Sequence, residues 1–229
     1  MSAISSAISG RFSWLIVGFF ARNQLVEGKQ VSIPLEGATS AYVKLDHGAG
    51  RLTLRSGAGS GEIVNGTFGN GLSYKSHVEG GRMEVKLRTS QQAWAWWPGE
   101  SLDWDIRLNR DIPLSLKIDS GASASILDLS DLKVTDLDID TGASSTELTL
   151  PANAGNTHVD IDTGASSLKV SIPSGVAASI RVKSGIASVN VNPRFSRLDG
   201  GLYQSTDYST AANRVDMTID AGVGSIEVN

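Results

Sequence analysis

The aspartates of a short repeated motif are the residues of this sequence with the clearest potential for chemistry. Three copies of Asp-(Ser/Thr)-Gly-Ala begin at Asp119, Asp140 and Asp162. Two carboxylates a few ångströms apart can share one proton, as they do in aspartic peptidases. That chemistry needs one unique pair of acids, brought together by two lobes or two subunits. Near-identical tandem copies are more typical of Asp-x-Gly turns. An aspartic-type peptidase is therefore an alternative interpretation and not the preferred one.

The same aspartates raise the question of a calcium site. Carboxylates stacked on neighbouring strands repel one another at a spacing of about 4.8 Å, and a cation relieves this. Calcium-binding solenoids use a nine-residue repeat, whereas the period here is more than twice as long and Lys183 replaces the acid in a later copy. We therefore expect a solvated polar column without a metal, in which neutralising one acid leaves stability unchanged or raises it.

Other chemistry finds little support in the sequence. The three histidines, His47, His77 and His158, are scattered without the spacing of metal ligands. No Gly-x-Ser-x-Gly elbow or phosphate-binding loop occurs, and the absence of cysteine rules out thiolate chemistry. A net charge of -4 provides no basic excess for binding nucleic acid. We expect no catalytic residues, no cofactor and no nucleic-acid partner.

A repeat positions the aspartates. The glycines that follow them stand at 121, 142, 164 and 185, at steps of 21, 22 and 21 residues. A further copy reaches Gly222 after 37 residues, and a first copy contains Gly48. Each glycine marks a turn that requires either a positive φ or a close backbone approach. The repeat predicts units of strand, tight turn, strand and loop.

Alternation of residue types shows how the units pack. Leu137 and Ile139 alternate with aspartates, which is typical of a half-buried strand. Two strands cannot bury their own apolar face, so we expect Leu137 and Ile139 to stack on Val159 and Ile161 of the next unit. The predicted fold is an all-β, single-domain β-solenoid of parallel rungs of about 21 residues with two short strands each. An antiparallel sandwich is the alternative.

The order of several weak motifs resembles a known family. These motifs are Leu45–Leu54, Asn65–Phe68, Trp104–Leu108, Pro113–Leu116, Leu127–Ser130, the Gly-Ala turns, Tyr203, Tyr208 and Gly222–Val228. In this order they resemble the toast-rack domain at the C-terminus of LiaF-like bacterial cell-envelope stress proteins, and the related putative-adhesin β-solenoid domains. The resemblance covers about residues 30–229. It implies a β-solenoid with a non-enzymatic sensing, scaffolding or adhesion role, and it supplies no catalytic residues.

The first 29 residues form a predicted N-terminal segment that precedes a domain at 30–229. Its apolar block, Trp14–Ala21 with the preceding serine, has about nine residues, whereas a spanning helix needs about 20. No basic start or cleavage site typical of a signal peptide accompanies it. We expect the segment to cover an end of the fold. The predicted location is cytoplasmic with at most indirect membrane association, and a secreted or cell-surface location is the alternative.

A cluster of tryptophans is the best candidate for binding a partner. Trp94, Trp96 and Trp97 lie between a polar run and Pro98-Gly99, which indicates a loop. Large aromatics either pack against the fold or form an exposed patch that contacts a protein, a glycan or the membrane interface. Trp104 is assigned to a strand and to the core. We therefore expect a binding, scaffold or sensor module whose partner is an unidentified protein or envelope component. Self-assembly through an unpaired strand edge is a further alternative.

Overall fold

The computed structural model describes residues 30–69, 71–90 and 102–229, together with the backbone of 22–26. Trp94, Trp96 and Trp97, and the apolar block Trp14–Ala21, lie outside the described residues. Almost every described element is a strand, and none is a helix long and apolar enough to cross a membrane. The chain is therefore an all-β protein, as its alternating pattern predicts.

The strands have the following bounds in the described part of the chain: β1 (Arg22–Val26), β2 (Gln30–Pro34), β3 (Ser40–Ser56), β4 (Glu62–Phe68), β5 (Leu72–Glu79), β6 (Arg82–Thr89), β7 (Trp104–Leu108), β8 (Pro113–Asp128), β9 (Lys133–Thr149), β10 (Asn156–Ser171), β11 (Ala177–Val191), β12 (Ser196–Arg197), β13 (Leu202–Gln204) and β14 (Arg214–Val228). A short 3₁₀ turn, Asp199–Gly201, joins β12 to β13.

Six long strands form the solenoid, and each strand is one rung. They lie parallel in the order β3, β8, β9, β10, β14, β11. In each rung the two predicted short strands are joined through the glycine into one strand that bends there, giving it a first and a second arm. β6 and β7 together form a seventh rung, because β6 pairs with the first arm of β3 and β7 with its second arm.

The order of the rungs departs from the order of the chain. Leu137 and Ile139 stack on Val159 and Ile161, as predicted. The next rung on the stack is β14 and not β11, which lies beyond it at the end. The repeat copies are near-equivalent in sequence, so their pattern specifies the register of each rung but not its neighbour. The long connection between β11 and β14 allows the last strand to enter between two earlier ones.

The repeated glycines form a column in which neighbouring rungs approach closely. A Cβ on Gly142 would lie 2.9 Å from the carbonyl oxygen of Gly121, and one on Gly164 would lie 2.8 Å from that of Gly142. None of these three glycines has a positive φ. Of the two explanations that the sequence allows, the close approach of the backbones is therefore the one that applies.

The interior consists of aliphatic columns that run through the stack. Ile139 is 1% exposed and Ile161 is 3% exposed, whereas Asp138 points outward and is partly exposed. The register read from alternation is thus confirmed. One such column contains Leu45, Ile118, Ile139, Ile161, Ile219 and Val182.

The two ends of the stack are closed differently. At the β6–β7 end, antiparallel β5 and β1 extend β6, while β4 and β2 extend β7. Trp104 is 1% exposed there and packs edge-on against Phe68 at 5.1 Å, which confirms its place in the core. At the β11 end, β13 pairs with Ser179–Arg181 of β11, and β12 pairs with the other side of β13. β1 falls within the predicted N-terminal segment, and the domain division itself stays a prediction.

Candidate functional site

The three motif aspartates belong to a longer line of acids on the outer surface, which we call the aspartate column. Each lies two residues before the glycine of its rung, so the register that aligns the glycines also aligns the acids. An arginine precedes the column and a lysine follows it. In stack order the line is Arg88, Asp46, Asp119, Asp140, Asp162, Asp220 and Lys183.

Cations neutralise the half of the aspartate column nearest β6. Nε of Arg88 lies 2.6 Å from a carboxylate oxygen of Asp46. Nζ of Lys44 lies 2.5 Å from Asp119 and 3.3 Å from Asp46, so one lysine bridges two rungs. Lys117 adds a longer contact to Asp119 at 3.6 Å. The expectation of a self-repelling column is therefore wrong at Asp119. Lys44 and Lys117, which are aligned with each other on neighbouring rungs, both contact its carboxylate.

The ionisation of Asp119 follows from these contacts. Partial burial raises the pKa of the carboxyl, but the hydrogen bond from Lys44 and the charges of Lys117 and Lys44 outweigh burial and lower it. The hydrogen bond to Asp119 in turn raises the pKa of Lys44, against the opposing effect of burial. Both groups are thereby held in their charged forms.

The other half of the column carries uncompensated charge. Asp140, Asp162 and Asp220 make no ion pair within the described residues. Beside them, Asp160 lies 3.1 Å from Nε2 of His158, a contact that is ionic only when the imidazole is protonated. The outer face of the stack is therefore charge-balanced near β6 and acidic around β9, β10 and β14.

This geometry bears on the peptidase and calcium interpretations. The structure brings Asp119, Asp140 and Asp162 together, but as successive steps of an open ladder and not as one isolated pair. Asp119 is moreover paired with Lys44 and Lys117 and not with a second carboxyl group alone. Within the described ranges, no group of three or more acids and histidines is arranged to hold a metal ion. The arrangement favours a structural row of surface aspartates over a peptidase site or a calcium site.

A shallow, open depression of about 510 Å³ lies where the aspartate column meets the bend that the repeated glycines form. It exists because Gly48 and Gly121 place no side chain on the surface. Carboxylates and one guanidinium border it, and its lining combines polar and apolar surface. The lining residues are Asp46, His47, Gly48, Arg88, Thr89, Asp119, Ser120, Gly121 and Asp140.

His47 is a residue whose environment the sequence did not reveal. It is 1% exposed, its ring lies 5.1 Å from that of Trp104, and its Nε2 donates to the carbonyl of Leu102 at 3.2 Å. Nδ1 has no partner among the described residues. Burial lowers the pKa of His47, although the carbonyl of Leu102 and the charge of Asp103 oppose this. The available signal was its position two residues after Leu45, on the inward side of the first repeat copy.

The connection between β6 and β7 is longer than the corner of β3 that these two strands flank. Arg88 pairs with Asp46 and Trp104 with Leu52. Trp104 lies sixteen positions after Arg88, whereas Leu52 lies only six positions after Asp46. The chain between β6 and β7 is therefore ten residues longer than the corner of β3 beside it. Downstream of the insertion, Asp103 accepts a hydrogen bond from the backbone N–H of Arg51 at 2.9 Å. The described chain on this side is therefore fixed to the corner of β3.

Together these features define a parallel β-solenoid with a polar outer ladder and one interrupted corner. The family model for the N-terminal domain of toast-rack proteins, DUF2154, matches residues 22–171. The chain therefore belongs to the toast-rack family. It is similar to the crystal structure of a "putative cell adhesion protein" from Clostridium sporogenes ATCC 15579, with a TM-score of 0.77 and 21% identity over 91% of this chain and 99% of that one. No curated protein matches it.

Proposed function

We propose that this protein is a non-enzymatic binding module of the bacterial cell envelope, with a role in adhesion, scaffolding or stress sensing. Membership of the toast-rack family and the likeness to a solenoid named for cell adhesion support this proposal. The aspartate motifs support it too, because their positions are explained by the ladder and the glycine column without catalysis.

The observation that carries the proposal is the ten-residue insertion at the corner between β6 and β7. Recognition residues commonly lie on loops that a rigid scaffold holds in place, and aromatic side chains dominate binding energies at interfaces. The inserted sequence carries Trp94, Trp96 and Trp97. We assign these three residues the contact with an envelope protein or glycan.

The experiment compares the wild type with a variant in which Trp94, Trp96 and Trp97 are all replaced by serine. Cosedimentation with washed envelope fragments, separated into cell-wall and membrane fractions, measures binding. The proposal expects at least a tenfold loss of bound protein and an unchanged thermal midpoint. Val223→Ser is the matched control, since Val223 is an exposed apolar residue on another rung. Retained binding refutes the assignment, and a variant that loses several kcal/mol of stability identifies the tryptophans as core.

The compartment is part of the same proposal. We place the module at the cytoplasmic face of the envelope, and the adhesion-named structural neighbour favours the outer surface as the alternative. Protease treatment of intact cells separates the two. Digestion only after lysis supports the cytoplasmic face, and digestion on intact cells supports surface display.

A further inference from the structure

Within the described part of the chain, half of the outer edge of the terminal rung, β11, is unpaired. β13 pairs with Ser179–Arg181, and the 3₁₀ turn approaches the carbonyl of Val182. From Lys183 to Val191 no described strand pairs with this edge. Unpaired edges present a row of N–H and C=O groups that can bind another strand.

The side chains on this edge continue the core of the stack. Val189 and Val191 align with Ile226 and Val228 of β14, which are 2% and 0% exposed. On β11 the two valines are only partly buried. Ile186 lies on the outer face, where its neighbour Val223 of β14 is also exposed. Val189 and Val191 therefore form a short apolar row at the edge that one more rung would bury.

The usual protection of sheet edges is weak here. Charged side chains, proline and bulges keep edges from pairing in most proteins. Between Val182 and Val191 there is no proline, and Lys183 is the single charged residue. At the opposite end of the stack, antiparallel strands extend both arms of the last rung.

We propose that a second copy of this chain pairs with the edge, antiparallel, about a two-fold axis at Val189. Directly opposite residues of a strand pair share a face, so Val189 opposes Val189 and Ala187 opposes Val191, all on the inward side. Ser188 then opposes Asn190 on the outer side. No like charges meet in this register, which favours self-pairing.

This pairing predicts a closed dimer instead of a filament. An isologous contact uses the same patch on both copies and leaves nothing free to propagate. The dimer is a limited form of the self-assembly through an unpaired strand edge that the sequence offers as an alternative, because antiparallel strands extend the opposite end of the stack. The inference does not depend on the proposed envelope role. It would place two tryptophan-rich insertions in one particle, a source of avidity.

The size of the contact sets its strength. A strand pair of about six residues buries far less than the roughly 1,600 Å² of a standard interface. We therefore expect a reversible dimer with a dissociation constant in the micromolar range or weaker, about 10 μM or above. Such an equilibrium is visible only at high protein concentration.

Sedimentation equilibrium of the full chain tests the dimer. Protein concentrations from about 5 to about 500 μM span two decades around the expected dissociation constant. We expect the weight-average mass to rise towards twice that of the monomer. Val189→Lys, which opposes two ammonium groups on the axis, should weaken association at least tenfold. A monomer at all concentrations overturns the proposal, and so does growth beyond the dimer.

A cysteine variant tests the register and covers the case in which Val189→Lys does not fold. The chain has no cysteine, and directly opposite residues have Cα atoms about 4.5–5.5 Å apart, within disulfide range. Val189→Cys should form a covalent dimer under mild oxidation. Val223→Cys is the control, because it is exposed but lies on the neighbouring rung, away from the axis. Equal cross-linking of the two variants refutes the register.

Discussion

Replacing Gly142 with alanine tests whether the glycine column exists because rungs approach closely. The added Cβ would lie 2.9 Å from the carbonyl oxygen of Gly121, whereas carbon–oxygen contacts between strands are normally about 3.3–3.6 Å. Both atoms are held by the backbone, so relief requires β8 and β9 to separate by a few tenths of an ångström at the corner. Separation stretches the ladder hydrogen bonds on both sides. Overpacking of this kind costs about 1–3 kcal/mol.

Urea denaturation measures this cost. With an m-value of about 3 kcal/mol/M, the midpoint of Gly142→Ala should fall by about 0.3–1 M. Gly175→Ala is the control, because a Cβ at Gly175 meets nothing within 4 Å and its φ is not positive. There alanine should be neutral or stabilise by up to about 1 kcal/mol by restricting the unfolded chain. Equal midpoints for the two variants would refute close approach as the reason for the column.

Three further predictions concern the core, the aspartate column and the buried histidine. Ile139→Ala should lower the free energy of unfolding by about 2–5 kcal/mol. Asp138→Ala should lower it by under about 1 kcal/mol, because the ion pair of Asp138 with Lys117, at 2.7 Å, is exposed. Similar losses in denaturant melts would contradict the register. Asp119→Asn should destabilise the fold, whereas Asp140→Asn should leave stability unchanged or raise it, and the reverse order of thermal midpoints would contradict the charge assignment. Because burial lowers the pKa of His47 in the folded state, the unfolded chain takes up this proton first as pH falls. The contribution of His47 to stability is therefore full above about pH 6.5 and declines below it. His47→Gln should flatten that part of the stability–pH profile, and an unchanged slope would assign the decline to other groups.

The sequence predicts the rungs well because each rung is a local pattern. Alternation around Ile139 specifies which side chains point inward, and the glycine spacing specifies where each rung bends. The sequence alone does not distinguish the two reasons for the glycines, since a turn with positive φ and a close backbone approach both require glycine. The distance from Gly142 to the carbonyl of Gly121 settles this, and it depends on a residue 21 positions away.

The side chains that contact Asp119 and His47 cannot be read from local patterns, although alternation alone places His47 on the inward side. The lysine that neutralises Asp119 is Lys44, which is far away in the chain and becomes a neighbour only because β3 pairs with β8. His47 is buried against Trp104, which belongs to a rung formed by two separate strands. In both cases the contact depends on which rungs are adjacent, and near-equivalent repeat copies do not encode adjacency.

The position of β14 inside the stack follows from burial more than from charge. Placing β11 next to β10 would set Lys183 beside Asp162, an exposed contact worth at most about 1 kcal/mol. At the inward positions that are only partly buried in β11, β14 carries larger apolar side chains: Ile226 against Val189 and Ile219 against Val182. These differences amount to about two methylene groups, or roughly 1.6 kcal/mol when fully buried. The rung with more to bury therefore lies inside, and the rung with small, partly polar side chains forms the end at which a second copy can pair.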